Sequence, residues 1–475
     1  MDPTQANRLA AIKTKLADDV LVLRGFRGEE HLSQPFTLYA ELSSKDPAIA
    51  LGDLIASPVG IRLDLGKKGT RYFHGYISKI TQMPGDSDGA RYEAVIVPWL
   101  WLLTRTSDCR IFQEMSVIDI IQKVFRDAGF TDYKNKTSAS YTKREYCVQY
   151  RETAFNFVSR LMEEEGITYY FLHEEARHYL VLADSPSSHS AVSGYEKVEW
   201  HPANRGDQRA DCLRQWFTES QLQPGKYSHR SYNFKKPRVD LDASASYPET
   251  LAGEEMEIYD YPGSFESLDA GEKSASIRVE ELGSAQDLTR GSGEVMGLAA
   301  GYTFELSGHP RDDQNVEYLV TGISYRFDQS QFSTGAADGE PPFHCDLQAT
   351  LAKRQYRPAR ATAKPVIRGL PVPDVHLPVR PLPQGHGPRQ GRQLQGARRH
   401  GRVVEQVDQP VHLRFQGLRG NEGPLSAGLG RGEGGRSSWS PGLLYLALLS
   451  PASLPVGRPD RFSATGVQDA GQVIL

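Results

Sequence analysis

The chain of 475 residues reads as mainly β with helical insertions, a β-rich α+β body followed by a Gly/Pro/Arg-rich tail. Three observations predict this. Segments of alternating polarity recur through the first three quarters, two amphipathic segments carry helix start and stop residues, and the composition changes abruptly near residue 366.

The first segment alternates Phe36, Leu38, Ala40 and Leu42 with small or polar partners, and Ile61, Leu63 and Leu65 repeat the pattern. A period of two puts these side chains on one face of a strand. Arg71–Ile80 and Arg91–Val97 continue it, separated by the turn-rich Pro84–Gly89, and the spacing fits an antiparallel barrel or sandwich. Ser116–Gly129 then changes period: Val117, Ile120, Ile121, Val124, Phe125 and Ala128 form a helical stripe. Ser116 with Asp119 makes a capping arrangement, and Gly129 supplies a left-handed stop. A second helix is predicted from Thr153 to Glu165, with Phe157, Val158, Leu161 and Met162 inward and Gly166 at its end. Ile167–Leu172 and His178–Leu182 then form a hairpin around Glu174–Arg177. Glu257–Tyr261, Tyr302–Leu306, Glu317–Phe327 and His344–Leu351 are the clearest later strands, with a helix near Asp269–Glu281. A barrel completed by distant segments is compatible with this order.

Composition narrows the function classes. Met1–Val20 lacks an uninterrupted apolar stretch and a small-residue cleavage site, so it does not read as a secretory signal. The apolar run Gly442–Ser450 is far short of the roughly 20 residues a spanning helix needs. Cys109, Cys147, Cys212 and Cys345 have no CxxC spacing, which disfavours a disulfide scaffold or zinc site and favours synthesis in a reducing cytosol. Residues 1–365 hold 42 basic and 52 acidic side chains, a balance that disfavours nonspecific nucleic-acid binding.

The consecutive acids Glu163, Glu164 and Glu165 invite comparison with the paired carboxylates of a glycosidase. Consecutive residues do not face one another on a helix, so a solvated or interface-forming helix end is the better reading. Asp108-Cys109-Arg110 sets a thiol beside a cation but joins it to no histidine. His309 and His344 lack a second ligand at helical or hairpin spacing. Gly291, Gly293, Gly297 and Gly301 are not followed by Lys-Ser/Thr, so they mark a loop and a turn into the strand at Tyr302 rather than a phosphate cradle. No residue is expected to be catalytic, cofactor-binding or metal-ligating, and no cofactor is required.

Several stretches together resemble one family. They are Gly28–Leu42, Pro98–Ile121 with its CRIFQ, Tyr146–Glu174, Leu182–Ser185, Glu257–Gly263, Phe304–Pro310, Glu317–Tyr325 and Lys364–Gly369. In this order they are similar to the VgrG family, spike and tip proteins of type VI secretion whose fold resembles the baseplate hub of contractile phages. The resemblance covers about residues 18–369 and implies phage baseplate hub-like barrels. It implies a trimer whose barrels form a ring capping the secretion tube, with Glu163–Glu165 and their neighbours serving packing or assembly. The expected organisation is a lead over 1–17, a hub-like body over 18–365 and a tail over 366–475. Within the body, a β-barrel is expected over 18–105, a helix-containing α/β insertion over 106–190 and further barrel segments over 195–355. The implied partners are two further copies, the tube protein, baseplate components and effector proteins, with no nucleic acid and no stable membrane insertion. The implied route is synthesis in the bacterial cytoplasm and export by the machine itself, without a signal peptide. A cell-wall glycosidase using Glu163 or Glu165, and a phage-tail or tailocin hub, are the competing readings.

The tail departs from the family, where KPVIRG leads into an OB-like barrel and a β-helix needle. Residues 366–475 contain 18 Gly, 12 Pro and 13 Arg, no Lys and only Tyr445 of the chain's 22 tyrosines. Such a composition supplies too few packing side chains to offset backbone ordering, which predicts a disordered tail without the piercing needle. The genetic code also permits a frame shift near Leu370. Read one nucleotide later, Val375–Ala397 can begin Cys-Ile-Tyr-Leu-Tyr-Gly-Arg, a strand-like string similar to the family's barrel. Coding DNA whose shifted frame gives stops or no strand pattern overturns that explanation. A basic nucleic-acid-binding tail lacks the interleaved aromatic platforms, and an appended effector domain lacks a catalytic constellation.

Overall fold

The protein's structure is a computed structural model that describes residues 4–86, 89–202, 211–248, 255–329 and 342–365. All of these belong to the first of two compact units, Met1–Gly387. The expectations for residues 366–475, disorder and frame shift alike, lie outside the described residues.

Six strands and two short helices come first: β1 (Ala10–Lys13), β2 (Val22–His31), β3 (Thr37–Ser44), α1 (Leu51–Leu54), β4 (Pro58–Asp64), β5 (Thr70–Asp86), β6 (Gly89–Val97) and α2 (Trp99–Leu102). The strands pair in the order β1-β4-β5-β6-β3-β2. Phe36, Leu38, Ala40, Leu42, Ile61 and Leu63 are all buried, as alternation requires of a sheet with one face on a core. The segment set apart as a lead is part of this sheet: β1 pairs with β4. The buried Gln5 side chain also accepts the N–H groups of Ile12 (2.9 Å) and Leu23 (3.0 Å), bonding to β1 and β2 as a ladder residue would.

The next layer holds β7 (Ser107–Met115), α3 (Val117–Asp127), β8 (Tyr133–Asn135), β9 (Arg144–Thr153), α4 (Ala154–Glu165), β10 (Thr168–His173) and β11 (His178–Ala183). Both helices begin where their caps dictate. Ser116 accepts the Asp119 N–H and Thr153 accepts that of Asn156, and Gly129 (φ +85°) and Gly166 (φ +67°) end them in the left-handed region. β7 and β9 form a two-stranded ribbon, while β10, β11 and β8 form a small sheet.

The remaining elements are β12 (Lys197–Glu199), β13 (Leu213–Ser220), β14 (Lys226–Arg230), β15 (Asp242–Ser246), β16 (Glu257–Asp260), α5 (Leu268–Ser284), β17 (Asp287–Gly293), β18 (Thr303–Ser307), β19 (Glu317–Asp328) and β20 (Phe343–Leu351). The long-range closure lies between β19 and β2, paired antiparallel from Gly322 opposite His31 to Asp328 opposite Gly25. It extends the first six strands through β19-β20-β17-β13, with β18 and β12 branching from β19, into one sheet of 12 strands. The 195–355 stretch is not barrel throughout: β15, β14 and β16 form a separate sheet, and Tyr227 on β14 packs against Ala275 and Val279 of α5.

Gly291 and Gly293, read from the sequence as loop residues, lie inside β17. A Cβ at Gly291 would stand 2.8 Å from the Trp216 ring, and one at Gly293 would stand 2.3 Å from the Cys212 carbonyl oxygen. Glycine is therefore set by close approach of β13, not by a turn. Gly301 (φ +88°) does make the expected turn into β18.

Candidate functional site

The acidic end of α4 packs against the last described segment of the chain, residues 353–365. Glu163 turns to Thr362, whereas Glu164 and Glu165 share the guanidinium of Arg144, and the helix ends at Gly166 just beyond them. Glu163 takes the backbone N–H and hydroxyl of Thr362. Glu164 accepts from Arg144 Nη1 at 2.8 Å, with Arg160 and Lys364 each 3.8 Å away. Glu165 accepts from Arg144 Nη2 at 3.0 Å and has Lys273 at 3.6 Å. Burial alone would push the Glu164 carboxyl up, but Arg144, then Lys364 and Arg160, hold it below its ordinary value. A glycosidase needs one carboxyl kept protonated near neutrality and a second facing it. Here each carboxylate is held by a cation or by Thr362, so the cluster behaves as an anchor.

The anchored segment is residues 353–365. Arg357 donates to the carbonyl oxygens of Gly166 (2.8 Å) and Asp184 (3.0 Å) and to Glu280 Oε2 (2.7 Å). The Arg360 N–H reaches Glu281 at 2.9 Å. The strap thus ties the ends of α4, β11 and α5 together just before residue 366. Among these ties only the acidic cluster was visible in the sequence, because the strap's partners lie far away along the chain.

The other singled-out residues do not converge. Cys109 is exposed, and its neighbour Arg110 turns to Gln149 (2.9 Å) and Asp127 (3.4 Å). Cys147, Cys212 and Cys345 are buried thiols, and burial raises the pKa of each. His309 packs edge-on to Trp200, whereas His344 lies 3.6 Å from Asp346 on β20. Among the described residues no group of three or more His, Cys, Asp or Glu is placed to hold a metal ion.

A second surface follows from the sheet itself. Each strand from β2 through β19, β20 and β17 to β13 sends alternate side chains to the core and to solvent. On the solvent side lies an open hollow of about 700 Å³ lined by polar groups such as Glu29, His31, Arg290 and Asp346 together with the apolar Phe217 and Leu347. It crosses the β2–β19 junction without interruption. Sequence reading missed it, because it depends on pairing strands about 300 residues apart.

Residues 29–331 match the phage tail baseplate hub (GPD) family. The chain is 41% identical over 366 residues to the type VI secretion system spike protein VgrG1c of Pseudomonas aeruginosa, covering 77% of this chain and 50% of that protein. It is 40% identical over 365 residues to VgrG1a of the same organism, covering 77% and 57%. The chain therefore spans about half the length of the curated relatives it matches. Its fold is similar to that of the E. coli c3393 protein, a type VI secretion component with structural similarity to the T4 tail proteins gp27 and gp5. That match has TM-score 0.55 at 21% identity and covers 75% of this chain and 81% of the other. A tail protein from Neisseria meningitidis MC58 matches with TM-score 0.50 at 10% identity, covering 73% and 97%.

Proposed function

This chain belongs to the phage tail baseplate hub family, in its VgrG branch, and from that premise we propose that its body works as a trimeric structural hub of a type VI (contractile) secretion machine. The trimer caps the secretion tube and is exported with it. The β2–β19 pairing carries the reading, because it fuses two barrel-like halves into one sheet whose outer face runs across the junction. Three such sheets around an axis make a ring with this outer face turned toward the tube. The proposed partners are the tube protein, baseplate components and effector proteins.

Synthesis in the cytoplasm and export by the machine without a signal peptide belong to the same proposal. Among the described residues no helix is long and apolar enough to cross a membrane. The body needs no catalytic, cofactor or metal residue in this reading, and the engagement of Glu163, Glu164 and Glu165 supports it. Light scattering on the purified full chain tests the assembly. A mass of three times 52.8 kDa, with three-fold rings in averaged electron images, is expected, and a stable monomer at micromolar concentration overturns it. Sustained peptidoglycan turnover that Glu163→Gln abolishes would overturn the non-enzymatic reading.

The matched family is defined on phage tail hubs, which favours one second reading: a hub of a phage tail or tailocin. Gene neighbours separate the two. Secretion-specific baseplate and membrane components beside the sheath and tube genes support the first reading, and phage head or lysis genes support the second.

A further inference from the structure

Where the β10–β11 hairpin lies against the first six strands, three imidazoles are buried together. His74 projects from β5, His173 ends β10, and His178 begins β11 directly opposite it in the hairpin register. His178 Nε2 accepts the backbone N–H of Trp99 at 3.0 Å, so in the neutral ring its proton sits on Nδ1. That proton is donated to His74 Nδ1, 3.0 Å away, which places the His74 proton on Nε2. His173 Nδ1 in turn accepts the backbone N–H of His74 at 3.0 Å. Every acceptor nitrogen in the cluster is used, and protonating any one of them sets two donors face to face.

The charged surroundings do little to offset this. Asp132, ahead of β8, acts on His74 and Tyr76, while Glu30 of β2 and Arg71 of β5 act on His173 with opposite signs. Glu30 is already engaged by Arg71 and by the Tyr325 hydroxyl. Phe36 packs on His173 and His178 with ring centroids 4.9 and 5.6 Å apart. Burial therefore dominates, taking His74 and His173 to about 4 and His178 well below its ordinary value.

We propose that His74, His173 and His178 form an acid-sensitive latch that holds the β10–β11 hairpin on the first six strands while all three rings are neutral and releases it as they take up protons. Opening returns the rings to water, where each titrates near 6.5. In the closed state His74 and His173 bind protons only near pH 4, and His178 is also held well below its ordinary value, so the open state takes up more protons throughout the interval between. The latch is shut above about pH 6.5, and below it the opening equilibrium rises about tenfold per pH unit for each imidazole released.

Hydrogen exchange on the full chain between pH 7 and 4.5, corrected for intrinsic rates, tests this. Amides of 168–183 are expected to lose protection with a slope of about two to three protons, ahead of those in β19 and β20. His74→Gln keeps a hydrogen-bonding side chain but cannot take up the proton. It should lower that slope by about one and move the loss to lower pH. His173→Gln carries the same test should His74→Gln fail to fold. Loss of protection in the hairpin and in β19–β20 at a common midpoint, or an unchanged slope in the variant, overturns the latch.

Discussion

Thr362 donates its backbone N–H to Glu163 Oε2 at 2.9 Å and its hydroxyl to Glu163 Oε1 at 2.7 Å. One carboxylate thus spends both oxygens on the strap of residues 353–365. The sequence separation of 199 residues makes this tie a tertiary constraint and not a helix-end detail.

Replacing Glu163 with Gln leaves one oxygen to accept and turns an N–H₂ toward a donor. Hydrogen bonds to a charged acceptor contribute about 1.5–3 kcal/mol each, less where water reaches them as it does here. Glu163→Gln should lower stability by about 1–2 kcal/mol in urea unfolding and speed amide exchange over 357–364. Unchanged exchange in the strap would show that Arg357 and Arg360 hold it alone.

The pair beneath this cluster is more deeply buried. Arg160 donates Nε to Glu152 Oε2 at 2.9 Å and Nη2 to Oε1 at 2.8 Å, with both side chains under 10% exposed. Truncating Glu152 leaves the buried Arg160 guanidinium with only the Val148 carbonyl and Glu164, 3.8 Å away, a loss of about 3–5 kcal/mol. Glu152→Ala should show a loss of that size in denaturant unfolding, while Glu41→Ala, whose partner Arg27 is half exposed at 4.0 Å, should change stability by less than about 1 kcal/mol.

The contrast between these pairs bears on what the sequence disclosed. Local signals were legible: Ser116 and Thr153 as caps, Gly129 and Gly166 as stops, and the alternation that buries Phe36 through Leu42. β13 and β17 were not, because their pairing puts glycines against Trp216 and the Cys212 carbonyl, a requirement that exists only after folding. β14 and β15 carry few apolar residues and lean on α5 for their core, so alternation is faint there. The acidic cluster was visible, but its partners Thr362, Arg144 and Lys273 were not. The imidazole cluster was missed for the same reason, since His74 and His178 meet across 104 residues.

Two glycines with nearly equal backbone angles separate conformational strain from steric overlap. Gly129 (φ +85°) has open space where a Cβ would stand, whereas a Cβ on Gly301 (φ +88°) would lie 2.3 Å from the Tyr170 ring. Gly129→Ala should cost about 1–2 kcal/mol, the left-handed penalty alone. Gly301→Ala should cost that and a further 1–3 kcal/mol or so, because the ring must shift inside a packed core. Equal losses in thermal unfolding would mean that Tyr170 moves freely.

Asp184 sets a second pH window, apart from that of the imidazoles. Its carboxylate accepts the N–H groups of Ser138 and Ala139, both at 2.8 Å, and the Tyr141 hydroxyl at 2.9 Å. Burial pushes this carboxyl up, but the Ala139 and Ser138 donors outweigh it and leave the group below its ordinary value. With the folded value depressed, its stabilisation is fully present above about pH 5 and declines as pH falls through the folded value. The neutral imidazoles lose theirs earlier, between about pH 6.5 and 4. Asp184→Asn should therefore be less stable than the parent by a constant margin from pH 7 to 5, a margin that shrinks as the parent's carboxyl protonates. Urea midpoints of both proteins from pH 7 to 2.5 check this. A margin that closes already at pH 5–6 would show that the Asp184 carboxyl protonates there, and would overturn its depression by the Ser138 and Ala139 donors.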